Sequence, residues 1–90
     1  MAQNQAVTGW VFDEATLENI PSAVIIDKQT NLYTESNSEG YYQLLTRNGQ
    51  RELWYAAPGY KAHKVIVDVK GVVLNNVFLK PVDFDEVDSS

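Results

Sequence analysis

The side chains that could do chemistry in this 90-residue chain are few. There is one histidine, His63, and there is no cysteine. A catalytic histidine needs a nucleophile or a metal partner within hydrogen-bond reach. With no second histidine and no thiolate, zinc would have to rest on carboxylates alone. His63 therefore reads as a structural or solvated residue just after Gly59-Tyr60. Asp13 and Glu14, with Glu18 close behind, could offer hard oxygens to Ca²⁺. Such a site takes six or more oxygens, which the spacing does not supply, so a turn cap with exposed charge is the better account. No lysine lies in Val7–Phe12, which excludes the Lys–Asn isopeptide of pilin-type sandwiches. No catalytic residue, metal or cofactor is expected, and the chain reads as a non-enzyme.

Aromatic residues are the other chemistry-bearing set. Trp10, Phe12, Tyr33, Tyr41 and Trp54 fall opposite the inferred core face of their strands. Aromatic faces stack on sugars or anchor a protein partner, and half-covered aromatics also stabilise a small sheet across strands. Trp10, Tyr41 and Trp54 are the candidate binding residues.

Composition bounds what could hold them. Ninety residues make one domain. Apolar residues form 44% of the chain, enough for a core and too many for disorder. The longest apolar runs, Val24–Ile26 and Val72–Leu74, fall far short of the roughly 18–20 residues of a membrane helix. The formal charge of −5 is uneven. Asp83, Asp85, Glu86 and Asp88 lie in the last eight residues, and without them seven basic face eight acidic side chains. With no basic stripe to neutralise phosphates, nucleic acid is excluded as a partner. Residues 1–5 read as an added or disordered start with no signal peptide, 6–82 as the domain, and 83–90 as an acidic tail or linker.

The period along the domain is two almost throughout. Val7–Phe12, Ala23–Asp27 and Leu32–Ser36 read as three strands, with Pro21 closing a loop between the first two. Asn37-Ser38-Glu39-Gly40 is turn chemistry. Tyr41–Leu45 and Glu52–Ala57 flank Arg47-Asn48-Gly49-Gln50, and Asn-Gly suits a type I′ hairpin turn. If Asn48 and Gly49 are the two turn residues, Leu44 pairs with Leu53, Tyr42 with Tyr55 and Gln43 with Trp54. That register leaves one face wholly apolar and sets Trp54 beside Tyr41. A sixth strand carries Val65, Val67 and Val69, and a seventh runs from Val72 to Leu79. Seven short strands without a helix predict a sandwich or small barrel.

The order of these elements resembles the carboxypeptidase regulatory-like domain. Gly9-Trp10-Val11-Phe12-Asp13, Thr16, Ile20-Pro21 and Ala23-Val24-Ile25 match its opening. The frame from Thr34 through Gly40-Tyr41-Tyr42-Gln43-Leu44 matches its middle, as do Gly49, Leu53 and Gly59-Tyr60. Val77-Phe78-Leu79-Lys80-Pro81 matches its close. Leu17 and Ser22 stand where glycine is usual, Asn37 where aspartate is and Arg51 where an aromatic residue is. The first two imply a differently shaped first loop.

The resemblance implies an all-β, seven-stranded antiparallel Greek-key β-sandwich of transthyretin-like form. Such domains sit beside carboxypeptidase catalytic domains and at the N-terminus of Bacteroidota-type TonB-dependent outer-membrane receptors. There they precede a segment like Phe84-Asp85-Glu86-Val87 that leads to the plug. Hydroxyisourate hydrolases share the sandwich but use several histidines and a Tyr-Arg-Gly-Ser ending, both missing here. The expectation is an extracytoplasmic accessory domain of an outer-membrane receptor, itself not membrane-spanning. Its partner would be a protein or the adjacent domains of its own polypeptide. The alternatives are a surface glycan-binding module and a regulatory domain beside a carboxypeptidase.

Overall fold

The computed structural model describes residues 5–82, and the acidic tail and its Phe84–Val87 segment lie outside them. Eight strands form two sheets: β1 Ala6–Asp13, β2 Val24–Asp27, β3 Tyr33–Glu35, β4 Tyr41–Leu45, β5 Gly49–Ala56, β6 His63–Val69, β7 Val72–Leu74 and β8 Val77–Leu79. One sheet runs β3-β2-β5-β6. In the other, β1 pairs with β4 on one side and with β7 and β8 in turn on the other. The architecture is an all-β sandwich, one of the two forms that the alternation predicts and the one that the resemblance implies.

The proposed hairpin between β4 and β5 does not form. β4 pairs with β1, β5 pairs with β2 and β6, and residues 46–48 cross between the sheets. Only a turn with positive φ at both central residues is type I′, and Asn48 is not among the residues with positive φ. Its Oδ1 instead accepts from the Gly71 amide at 3.1 Å. The inward set that the hairpin register predicts is nonetheless the one observed. Tyr42, Leu44, Leu53 and Tyr55 are all buried, because two strands facing each other across a sandwich show the same alternation as a hairpin. The Tyr42 and Tyr55 rings meet edge to face at 5.6 Å from opposite sheets.

The expected seventh strand is two strands. Both pair with β1 in parallel, with the partner 66 positions later on each side of a break at Asn75-Asn76. The break keeps its hydrogen bonds. Asn75 N–H donates to the Thr8 carbonyl at 2.7 Å, and Asn76 Oδ1 accepts from the Trp10 amide at 3.0 Å. Beneath it the buried tyrosines are satisfied by the same segment. Tyr42 O–H donates to the Asn75 carbonyl at 2.5 Å, and Asn75 Nδ2 donates to the Tyr55 hydroxyl at 3.1 Å. The two hydroxyls are 2.7 Å apart, so Tyr55 donates to Tyr42 and every proton has a place. Burial pushes both phenols above their ordinary value, and they stay protonated.

Asn37 caps the turn before β4 as expected. Its Oδ1 accepts from the Glu39 and Tyr41 amides at 2.9 and 3.0 Å, while Gly40 takes φ 82°. The first loop departs from expectation in the opposite sense. Leu17 and Ser22 adopt φ 64° and 61°, so the loop keeps the left-handed backbone suited to glycine and bears side chains that strain it. Leu17→Gly and Ser22→Gly should each raise stability by about 0.5–1 kcal/mol. Urea unfolding tests this, and an unchanged or lowered midpoint for both would refute it.

Candidate interaction face

Alternation along β1 sends Val7, Val11 and Asp13 inward and Ala6, Thr8, Trp10 and Phe12 to the outer side of their sheet. Register then builds that outer face row by row. Leu45, Ala6 and Val72 lie abreast, then Gln43, Thr8 and Leu74, then Tyr41 beside Trp10, then Phe12 beside Phe78. Trp10 and Tyr41 rings meet edge to face at 5.1 Å, and Phe12 and Phe78 stack at 5.1 Å with 25° between planes. These are cross-strand pairs that stabilise the sheet. Among the described residues, none of the side chains on this face is ionisable except the Tyr41 phenol.

Cross-strand packing does not cover the face. Leu74 is 70% exposed, Val72 62%, Leu45 58% and Phe78 46%. Full burial of such a side chain stabilises by about 1.5–3 kcal/mol. Single exposed apolar residues are ordinary, but contiguous rows of them mark interaction sites.

The opposite outer face, on β3-β2-β5-β6, has a different character. Trp54 lies between Ile26 and Lys64 in the register, and Glu35, Glu52 and Asp68 share its side of the sheet by alternation. Trp54 Nε1 donates to Glu52 Oε2 at 2.7 Å, and the ammonium groups of Lys28 and Lys64 sit 5.6 and 5.8 Å from the indole centroid. Such contacts stabilise the cations and occupy the ring. Trp54 and Tyr41, placed side by side by the assumed hairpin, are thus on opposite faces of the molecule. Of the three candidate residues, Trp10 and Tyr41 come together and Trp54 stands apart. Phe12 joins the Trp10 face, while Tyr33, 66% exposed, pairs with Ile26 on the Trp54 side.

Sequence reasoning missed Leu45, Val72, Leu74 and Phe78. A usable signal was present, because Val72-Val73-Leu74 and Val77-Phe78-Leu79 are apolar at both parities, which demands two covered faces.

Asp13 and Tyr60 are used for structure. Asp13 Oδ1 accepts from the Ala15 and Thr16 amides at 2.7 and 3.0 Å, and Oδ2 accepts from the Tyr60 hydroxyl at 2.7 Å. The Tyr60 hydroxyl first, then the Thr16 amide, hold Asp13 below the usual carboxylate range. His63 is exposed in β6, its ring 6.2 Å from that of Tyr55. Among the described residues no group of three or more His, Asp or Glu could hold a metal ion, and no pocket is present.

No curated protein matches the chain. A family model does, over residues 7–87, and it is described as the CarboxypepD_reg-like domain, a non-catalytic regulatory-like family. That span is nearly the whole chain, and this β-sandwich belongs to the CarboxypepD_reg-like domain family.

Proposed function

We propose that this chain is a non-catalytic accessory domain of a larger cell-envelope protein, an N-terminal extension of a TonB-dependent outer-membrane receptor. It works by docking the outer face of β4-β1-β7/β8 on protein. Family membership supports an accessory role in general. The observation that carries the docking role is the exposed run of Leu45, Val72, Leu74 and Phe78 on a face whose only ionisable group, among the described residues, is a phenol. The receptor context rests on Phe84-Asp85-Glu86-Val87, which resembles the segment leading to a plug. The matching frame runs as far as residue 87.

The coding sequence beyond Ser90 tests the context. A plug and β-barrel there support it, a metal-ligand-bearing carboxypeptidase domain would replace it with a regulatory role, and a stop codon would overturn it. In such a parent, Leu74→Glu should expose the stretch around residues 83–90 to limited proteolysis while the barrel stays folded. Unchanged cleavage would count against docking by this face. The glycan reading has less behind it, since lysines occupy the Trp54 ring and Trp10 packs against Tyr41. Saturable tryptophan quenching by a glycan, lost in Trp54→Ala, would revive it.

A further inference from the structure

We infer that the partner of the β4-β1-β7/β8 face is a second copy of this chain, packed face to face with its strands antiparallel to the first. The inference rests on the proposed docking role of that face and names its occupant.

Charge at the two ends of the sheet carries the argument. At the end where β1 begins, Arg47 follows β4 and Lys70 precedes β7, both exposed. At the end where β1 finishes, Glu14 follows β1, Glu39 precedes β4, and Glu18 returns to β1 through its carbonyl, which accepts from the Asp13 amide. These three carboxylates are exposed and outnumber the two cations at that end, Lys80 after β8 and Lys61, whose amide donates to the Lys80 carbonyl at 2.9 Å. Asp68 is near the basic end but alternates with buried Val69 onto the outer side of the other sheet. The face is thus nearly neutral in the middle, basic at one rim and acidic at the other.

Face-to-face contact of two copies requires a two-fold axis in the plane of the interface. An axis along the strands would set basic rim on basic rim. An axis across them sets Arg47 and Lys70 of one copy against Glu14, Glu18 and Glu39 of the other, twice. Centred between Thr8 and Trp10, the same operation lays the Phe12–Phe78 pair over the row of Leu45, Ala6 and Val72. Aligned sheet-on-sheet packing is an ordinary way to cover two apolar sheet faces.

Area sets the strength. Three strands about 4.8 Å apart over an eight-residue β1 cover on the order of 400 Å². A standard interface buries about 800 Å² per partner, so the pair should be weak, with Kd on the order of 0.1 mM.

Sedimentation equilibrium of the chain from about 10 µM to about 1 mM tests this. The average mass should climb from 10.1 kDa towards twice that value. Leu74→Glu should hold it at the monomer, while Ile66→Glu, at a comparably exposed position on the opposite sheet, should leave the rise unchanged. Arg47→Glu/Lys70→Glu and Glu14→Lys/Glu39→Lys should each be monomeric alone and pair when mixed. A monomer throughout, a dimer indifferent to Leu74→Glu, or charge variants that fail to pair on mixing would each overturn the self-pairing. The docking role fails separately, through unchanged linker cleavage in the parent carrying Leu74→Glu.

Discussion

Gly9→Ala is expected to cost about 3 kcal/mol or to prevent folding, lowering the thermal midpoint by about 15 °C where the variant does fold. The reason is a close approach of two backbones. A Cβ on Gly9 would lie 2.1 Å from the Asn75 carbonyl oxygen and 2.7 Å from its carbon. That segment cannot move aside cheaply. It bridges β7 and β8, its amide donates to the Thr8 carbonyl, its carbonyl accepts from the Tyr42 hydroxyl, and its side-chain amide donates to the Tyr55 hydroxyl. Shifting it breaks contacts in both sheets and leaves buried phenols without partners. Gly59→Ala provides the comparison, because Gly59 has φ 85° but nothing within 4 Å of its Cβ position. It should cost about 1 kcal/mol, from the backbone alone. Equal losses in the two variants, measured by thermal and urea unfolding, would show that the approach at Gly9 is not what matters.

That close approach also explains which parts of the fold could be read in advance. Turn chemistry and strand parity act over a few residues, so Asn37, Gly40 and the inward set of Tyr42, Leu44, Leu53 and Tyr55 were legible. Pairing is non-local. Nothing in Arg47-Asn48-Gly49-Gln50 distinguishes a hairpin from a crossing between sheets, because the same alternation serves both and the deciding bond, Asn48 to Gly71, comes from 23 residues away. The split of Val72–Leu79 was hidden for a similar reason. Asn75 and Asn76 interrupt the apolar pattern, but only their meeting with Gly9 says why.

The working face followed the pairing. A β4–β5 hairpin places Tyr41 beside Trp54, whereas in the structure Tyr41 packs on Trp10. Leu45, Val72, Leu74 and Phe78 could not be seen as neighbours at all. The first loop shows the converse case. Leu17 and Ser22 look like departures that should reshape the loop, yet the hydrogen bonds closing it hold the backbone left-handed regardless. The Leu17 amide is bonded to the Asp13 carbonyl and the Ser22 amide to the Ser36 carbonyl.

Asp27→Ala should be the other severe change, at about 3 kcal/mol. Asp27 is 0% exposed, a buried carboxylate at the end of β2. Its Oδ1 accepts from the Gln29 and Thr30 amides at 2.9 and 3.4 Å, and its Oδ2 accepts from the Thr46 hydroxyl and lies 3.6 Å from Arg51 Nε. Thr46 belongs to the crossing between β4 and β5, and its amide donates to the Gln5 carbonyl. One carboxylate therefore ties the two sheets together at the end where β1 starts. Arg51, which stands where an aromatic residue is usual in the family, supplies the cation and is itself held by Gln29 Oε1 at 2.9 and 2.6 Å. Burial alone would push the Asp27 carboxyl up. The Thr46 hydroxyl, the Gln29 amide, Arg51 and the Thr30 amide outweigh it and hold the group below its ordinary value. A depressed folded value means that the unfolded chain binds the proton more readily. The stabilisation is therefore complete above about pH 4 and is lost as pH falls through the folded value. Asp13, lowered chiefly by the Tyr60 hydroxyl, adds a contribution of the same sign. Asp27→Asn should therefore be less stable than the parent chain at neutral pH and lose less on acidification. The two urea-unfolding profiles should approach each other below about pH 4, with the slope that remains in the variant owed to Asp13. Profiles that stay parallel from neutral pH down to acid would mean that the carboxylate charge at Asp27 contributes nothing to holding the sheets together.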